Sequence, residues 1–320
     1  MKRFALITLI AFLAAIALLY VISTRLRDRA IATTGRDLAA RAQLLALTFD
    51  RTMQTRLGET FTFSALPSLR GFATSDQDSR PARLSAAQFE LRAIVSADPG
   101  IRAVSIVDPN GKVILTTDEA MNADWSNRIF VREGMLGHPC AAPPSRDFGE
   151  VSQYYSAPII DNFGNVGGIL VVRVMGQELW DALFTTPNVL VVDENGVRIA
   201  DATSAPQVFT AIAPLTNDAV VRVARDKLYG AEISQIRVAP FPDLASQLKN
   251  RRAAQTVLRD PNLGSFLAAI QPLETNPWSV VVLARDDALG FVNIGYLEAF
   301  GWGALSGLLL AALAYFALRM

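Results

Sequence analysis

The sequence predicts an α/β protein of the α+β kind: a long N-terminal stalk helix carries two tandem modules built on antiparallel sheets, and two membrane-spanning helices flank the whole. Three observations lead there. From Tyr154 to Val174 the chain reads YYSAPIIDNFGNVGGILVVRV, two runs of branched residues joined by Asp, Asn and Gly, which is the pattern of a β-hairpin. A second hairpin, IRAVSIVDPNGKVILTT from Ile101, returns in wording as NVLVVDENGVRIADAT from Asn188, so the chain looks internally duplicated. Both ends are apolar and uncharged over the length that a span needs.

The first apolar run, Phe4 to Ile22, is preceded by Lys2 and Arg3 and followed by Arg25, Arg27 and Arg29. As a helix it is long enough to cross a hydrocarbon core of ~30 Å. Its other reading, a cleaved signal peptide, fits less well because the run exceeds the usual apolar core of such peptides. The second run, Ala299 to Leu318, places Trp302 and Tyr315 where aromatic residues meet the interfaces. Two spans leave residues 23–298 as one large loop, and the flanking charges set no clean orientation for a loop of that length. Lys+Arg and Asp+Glu are equal at 30 each, so no global field draws nucleic acid. The 51% hydrophobic content, high for a water-soluble chain, is concentrated at these ends.

Within the loop, residues 23–65 read as the stalk helix. Leu38, Ala42, Leu45, Phe49 and Met53 keep a three-to-four spacing with charges between them, and Leu66-Pro67-Ser68 ends the element. That apolar face suggests a homodimer, unless the modules themselves cover it. Thr74 to Arg83 reads as a polar, mobile loop, and Ser85 to about Ser96 as a shorter helix. The period then changes to two at Ile101, with Asp108-Pro109-Asn110-Gly111 as the turn. In the second half, Phe266 to Arg285 echoes the run from Tyr154 to Val174. The expected boundaries are 1–22 for the cytoplasmic N-terminus and first span, 23–65 for the stalk and 66–176 for the membrane-distal module. The membrane-proximal module follows at 177–298 and the second span at 299–320.

On the VDPNG turn, the SNRIF loop, the SAPIID and GNVGGIL strands and the later NPWSVVVLARD strand, the chain resembles the double Cache family of extracytoplasmic sensors. The resemblance covers essentially the whole chain and implies two PAS-like sheets on a stalk between two spans. It also implies an inner-membrane location with the large loop outside the cytoplasm, and a small-molecule ligand. A Cache receptor continues into a signalling domain; here the second span is followed directly by Met320. The output is therefore expected in a longer receptor or in a separate partner.

The candidate pocket lies in the loop from Asp124 to Gly134, read as too irregular for a core element and laid over the sheet. Arg128 offers a planar fork of donors that matches a carboxylate, with Trp125 and Phe130 as walls. In Cache sensors for amino acids, as the resemblance has it, an arginine and an aromatic here hold the ligand carboxylate and acidic residues hold its ammonium. Arg128 and Phe130 match the first part, but Arg173 stands where that pattern puts an aspartate. A second cation facing the pocket favours an organic anion over an α-amino acid. Two plainer readings stand beside this: Arg128 pairs with Asp124 or Glu133 on the surface, and Arg173 faces outward. Of Tyr154 and Tyr155 the period of two sends only one inward, and Tyr155 is taken as the lining residue. The second module's nearest analogue of the loop, Arg225-Asp226-Lys227-Leu228-Tyr229, lacks the paired aromatics, so occupancy is expected in the first module alone.

No catalytic constellation is found. His138 and Cys140, in GHPCAAPP, fall short of the three or four ligands that a zinc site takes, and no phosphate-binding loop occurs. Neither metal nor cofactor is expected, and no enzyme activity. The two surviving function classes are a sensory module that binds a small organic anion and a membrane-tethered assembly protein that uses the same fold without a ligand.

Overall fold

The computed structural model describes residues 2–118, 124–147, 149–176, 180, 188–203, 207–230, 235–260, 264–285, 301, 303 and 307. By its contacts the chain divides into two compact units, 1–41 with 254–269 and 283–320, and 42–253 with 270–282. It is α+β with antiparallel sheets and a long N-terminal helix. Helix α1 runs Lys2–Ser64 and stops where Leu66-Pro67 predicts. Among the described residues no helix is long and apolar enough to cross a membrane. The second expected span, 299–320, lies outside the described residues except at three positions, as do the side chains of 2–16 in the first.

In the larger unit, α2 (Pro67–Ala73), a 3-10 turn (Arg80–Arg83) and α3 (Leu84–Ala97) follow the stalk. Thr74 to Arg83, expected to be a polar, mobile loop, contains the 3-10 turn and bonds of its own. The Asp76 carboxylate accepts from the Ser79 backbone N–H at 2.7 Å and from its hydroxyl at 2.6 Å. The apolar stalk face from Leu38 to Met53 is buried within the single chain. The chain itself thus covers the face for which a second copy was the alternative.

The first sheet is built from β1 (Ile101–Val107), β2 (Val113–Thr116), β3 (Cys140–Ala141), β4 (Ser145–Asp147), β5 (Glu150–Ile160) and β6 (Val166–Met175). Its order is β2-β1-β6-β5-β3, with β4 also paired to β5. In the second half of the same unit, β7 (Val189–Val192) pairs antiparallel with β8 (Arg198–Asp201) on one side and with the start of β13 (Ser279–Arg285) on the other. A short parallel pair, β9 (Thr210–Ala211) with β10 (Arg237–Val238), lies near α5 (Asn217–Arg225) and α6 (Pro242–Leu248) in the chain. Strands β11 (Ala254–Asp260) and most of β12 (Gly264–Pro272) fall in the other unit.

Three turns share one device. Asp108, Asp161 and Asp193 each begin a D-x-x-G turn and accept from the backbone N–H groups two and four residues on, at 2.8–3.0 Å. The glycines at 111, 164 and 196 have φ of 85°, 88° and 75°. Such a carboxylate satisfies two donors that the reversing chain would otherwise leave open.

Gly111 is held more tightly than Gly164. A Cβ at Gly111 would strike the Ser126 backbone, whereas one at Gly164 meets nothing within 4 Å. Gly164→Ala should cost only the left-handed penalty of ~1–2 kcal/mol. Gly111→Ala should cost more, because the Ser126 segment must also move. Equal melting temperatures for the two variants would contradict this.

Candidate functional site

Helix α4 (Ile129–Met135) replaces the irregular loop expected over the sheet. Phe130, Val131 and Gly134 are its buried residues, a helical spacing too short to register as periodicity in the sequence. Arg128 is the residue before its first turn, with φ −81° and ψ 136°, and its carbonyl accepts from the Val131 and Arg132 N–H groups at 3.1 Å. The entry is fixed upstream, where the Asp124 carboxylate accepts from the Ser126 N–H at 2.9 Å.

Register decides which side chains meet. Tyr154 lies directly opposite Arg173 in the β5–β6 ladder, so the two share a face. Ser156, two residues on, donates its hydroxyl to the Phe130 carbonyl at 2.7 Å, which marks this as the α4 face. Trp125, Phe130 and Tyr154 pack together there: Phe130 stacks on Tyr154 at 4.9 Å, and Trp125 meets both rings edge-on at 5.5 and 6.1 Å. The Arg128 guanidinium carbon lies 5.6 Å from both the Phe130 and the Tyr154 ring centroids. Tyr155 points to the opposite face and donates to Gln153 Oε1 at 3.1 Å. The period of two thus selects Tyr154, not Tyr155, for this site.

Arg128 is buried at 7% exposure, so the surface-pair reading with Asp124 or Glu133 fails. Its Nη2 donates to Asp147 Oδ2 and its Nη1 to the Lys227 carbonyl at 2.8 Å. Ser145 Oγ donates to the same Asp147 oxygen at 2.7 Å. Arg173, also buried, faces inward: Nε donates to Ser152 Oγ at 2.9 Å, while Asp118 and Glu150 lie at 3.6 and 3.5 Å. Burial, and next the Asp147 charge, push the Tyr154 hydroxyl up in pKa. Sequence reasoning missed Asp147, which sits on a three-residue strand with no pattern of its own.

The segment Asp226–Gly230 lies across this site as a strap. Burial opposes ionisation of Asp226, but the Arg225 and Arg132 guanidiniums beside it hold its carboxyl below the usual value. Arg132 reaches it at 2.5 and 3.1 Å. The Tyr229 carbonyl accepts from the Arg146 N–H at 2.8 Å, and its hydroxyl donates to Asp193 Oδ2. Lys227 and Tyr229 hold left-handed φ of 45° and 66°. A Cβ at Gly230 would strike the Arg146 carbonyl. Beneath the strap, Arg128, Tyr154 and Leu228 line a cavity of about 10 Å³, room for about one water. A larger cavity, about 290 Å³, lies in the second module, where the sequence led to no expectation of a ligand. His138 is exposed with Nδ1 3.5 Å from Glu133, and burial pushes the Cys140 thiol up to about 12.

No protein-family model matches this chain, and no curated protein sequence matches it. Solved structures do. The sensory domain of the Campylobacter jejuni chemoreceptor Tlp3 with isoleucine bound is 15% identical at a TM-score of 0.56, over 83% of this chain and 97% of its own. The V. cholerae histidine kinase DctB sensor domain is 14% identical at 0.52, over 76% and 98%. A domain of a putative sensory box/GGDEF family protein from Vibrio parahaemolyticus is 13% identical at 0.56, over 80% and 98%. The chain has the fold of these sensor domains, the double Cache fold that the sequence resemblance implies.

Two outcomes follow from the buried charges. Arg128→Met leaves Asp147 buried without its cation and should cost about 3–5 kcal/mol, while adding Asp147→Leu should restore part of the loss, as read by urea unfolding. Additive losses would show that the two groups act independently. Burial, and next the Glu194 charge, raise Asp193 to about 7, so between the ordinary carboxylate value and that point the folded chain keeps a proton the unfolded chain has released. Stability should therefore fall as pH rises through this window, and Asp193→Asn should flatten the slope. Parallel melting curves against pH for the two proteins would show Asp193 ionised throughout.

Proposed function

We propose that this chain is the sensory part of a membrane receptor, anchored through Phe4–Ile22 and Ala299–Leu318 with its large loop outside the cytoplasm. It binds a small carboxylate-bearing ligand in the membrane-distal module. The role assigned is binding, not catalysis. One observation carries it: Arg128 is buried in an aromatic box, yet one of its donors is spent on a main-chain carbonyl of the strap. A ligand carboxylate accepts from a guanidinium more strongly than a neutral carbonyl does, so it can take the place of Lys227. The left-handed residues of the strap lower the cost of releasing it. Two Tlp3 structures carry isoleucine or L-valine, both of which bear a carboxylate. Arg173 on the same face supports an organic anion, and Asp147 supplies a counter-charge for an ammonium where the ligand has one.

The second reading, a tethered assembly protein without a ligand, has its own support in the Asp147 carboxylate that Arg128 already holds and in the small cavity. A thermal-shift screen separates them, because a ligand bound only by the folded state raises the melting temperature. Organic acids, amino acids and amines are screened against the wild type and Arg128→Lys, which keeps the charge beside Asp147 but loses the planar fork. The expected result is stabilisation by a carboxylate that weakens at least tenfold in Arg128→Lys. A ligand that stabilises both proteins equally sinks the clamp, and no response to any compound favours the assembly reading.

A further inference from the structure

The larger cavity in the second module has the makings of a site of its own, built from elements that the Arg128 site does not use. It is about 290 Å³, close to the lower end of the range for small-molecule pockets. Its floor is apolar: Ile212 and Leu215 lie on the segment after β9, and Leu248 at the end of α6. At its edge stand three exposed cations, Arg222, Lys249 and Arg251. Arg222 is oriented by its Nη2, which donates to Asn195 Oδ1 at 3.0 Å.

Two acids, Asp193 and Glu194, line the same cavity. Asp193 is buried and already accepts from the Tyr229 hydroxyl and from the Asn195 and Val197 N–H groups. Glu194 is exposed and accepts from the Trp278 side chain, with Arg222 and Arg251 acting on its charge. The cations outnumber the acids, and the acids are the more fully engaged. A cavity with an apolar floor and donors to spare at its rim suits a molecule with an apolar body and one anionic end.

We propose that this cavity is a second ligand site, and that it takes a small carboxylate with a branched apolar body. The apolar part rests against Leu215 and Leu248, and the carboxylate meets Arg222 and Arg251. None of these contacts is made by the Arg128 clamp, so the site stands or falls without it.

The test is calorimetric titration of the purified full chain with 3-methylbutanoate, with 3-methylbutylamine as the control of equal shape and opposite charge. Wild type should bind the acid and not the amine. Leu248→Trp, which fills the floor, should weaken binding at least tenfold. Arg222→Gln with Arg251→Gln, at exposed positions that leave the core untouched, should weaken it at least fivefold. Arg128→Lys, which reaches this site only through the strap, should change it less than threefold. The proposal is overturned if wild type does not bind the acid, if the amine binds as well, or if Leu248→Trp and the double glutamine variant both bind like wild type. Loss of binding in Arg128→Lys also overturns it, because the acid would then occupy the first module.

Discussion

The guanidinium of Arg128 and the carboxylate of Asp147, both removed from water, are the constraint around which the first module is arranged. A buried ion pair adds little net stability, because desolvation of the two charges offsets most of their attraction. Its effect is on which arrangement is allowed. Any packing that buries Arg128 without Asp147, or Asp147 without Arg128, leaves an uncompensated charge. The pair therefore fixes the start of α4 against β4, and Ser145, Tyr154 and the Lys227 carbonyl also bond to it. The Phe130 and Tyr154 rings lie against the cation, so it meets π-faces where solvent would otherwise stand.

That arrangement requires the β5–β6 register to be right to the residue, since a slip of one would move Arg173 and Tyr154 to the far face. The register is set by the turn together with a one-residue shift between Ile159 and Ile160. Asp161 takes the N–H groups of Phe163 and Asn165, and the chain reverses at a fixed residue count. Asp108 and Asp193 do the same for the other hairpins. Local carboxylate turns, with the one-residue register shifts beside them, thus decide from a distance which side chains reach the site.

These turns are also why so much of the fold was legible. D-x-x-G between branched runs is a local signal with a local cause, so the hairpins, α3 and the end of α1 could be read from spacing alone, and the order of motifs pointed to the double Cache fold. The site was legible only in part. Trp125, Arg128, Phe130 and Arg173 do share one face, but the choice of Tyr155 over Tyr154 depended on a register that sequence does not print. Helix α4 is too short to show a period. Asp147 meets Arg128 through tertiary packing across nineteen positions, and no local pattern marks it. In the sequence the strap reads as RDKLY, a weak copy of the pocket loop in the second module. Its closure over the first module is a non-local fact.

The strap bears on how two cavities in one unit can communicate. Tyr229 lines the small cavity at Arg128 through its place in the strap, and its hydroxyl is bonded to Asp193, which walls the large one. Holding the strap down are the Arg132–Asp226 pair, the Arg128–Lys227 bond and the Arg146–Tyr229 bond; against it stand two left-handed residues at ~1–2 kcal/mol each. A ligand can shift such a balance only by the difference in its affinity for the two strap positions. If the strap lifts, Asp193 loses its phenolic donor and the turn that walls the second cavity changes its charge environment. By reciprocity, a ligand that favours the present wall of the second cavity also favours the closed strap over the first.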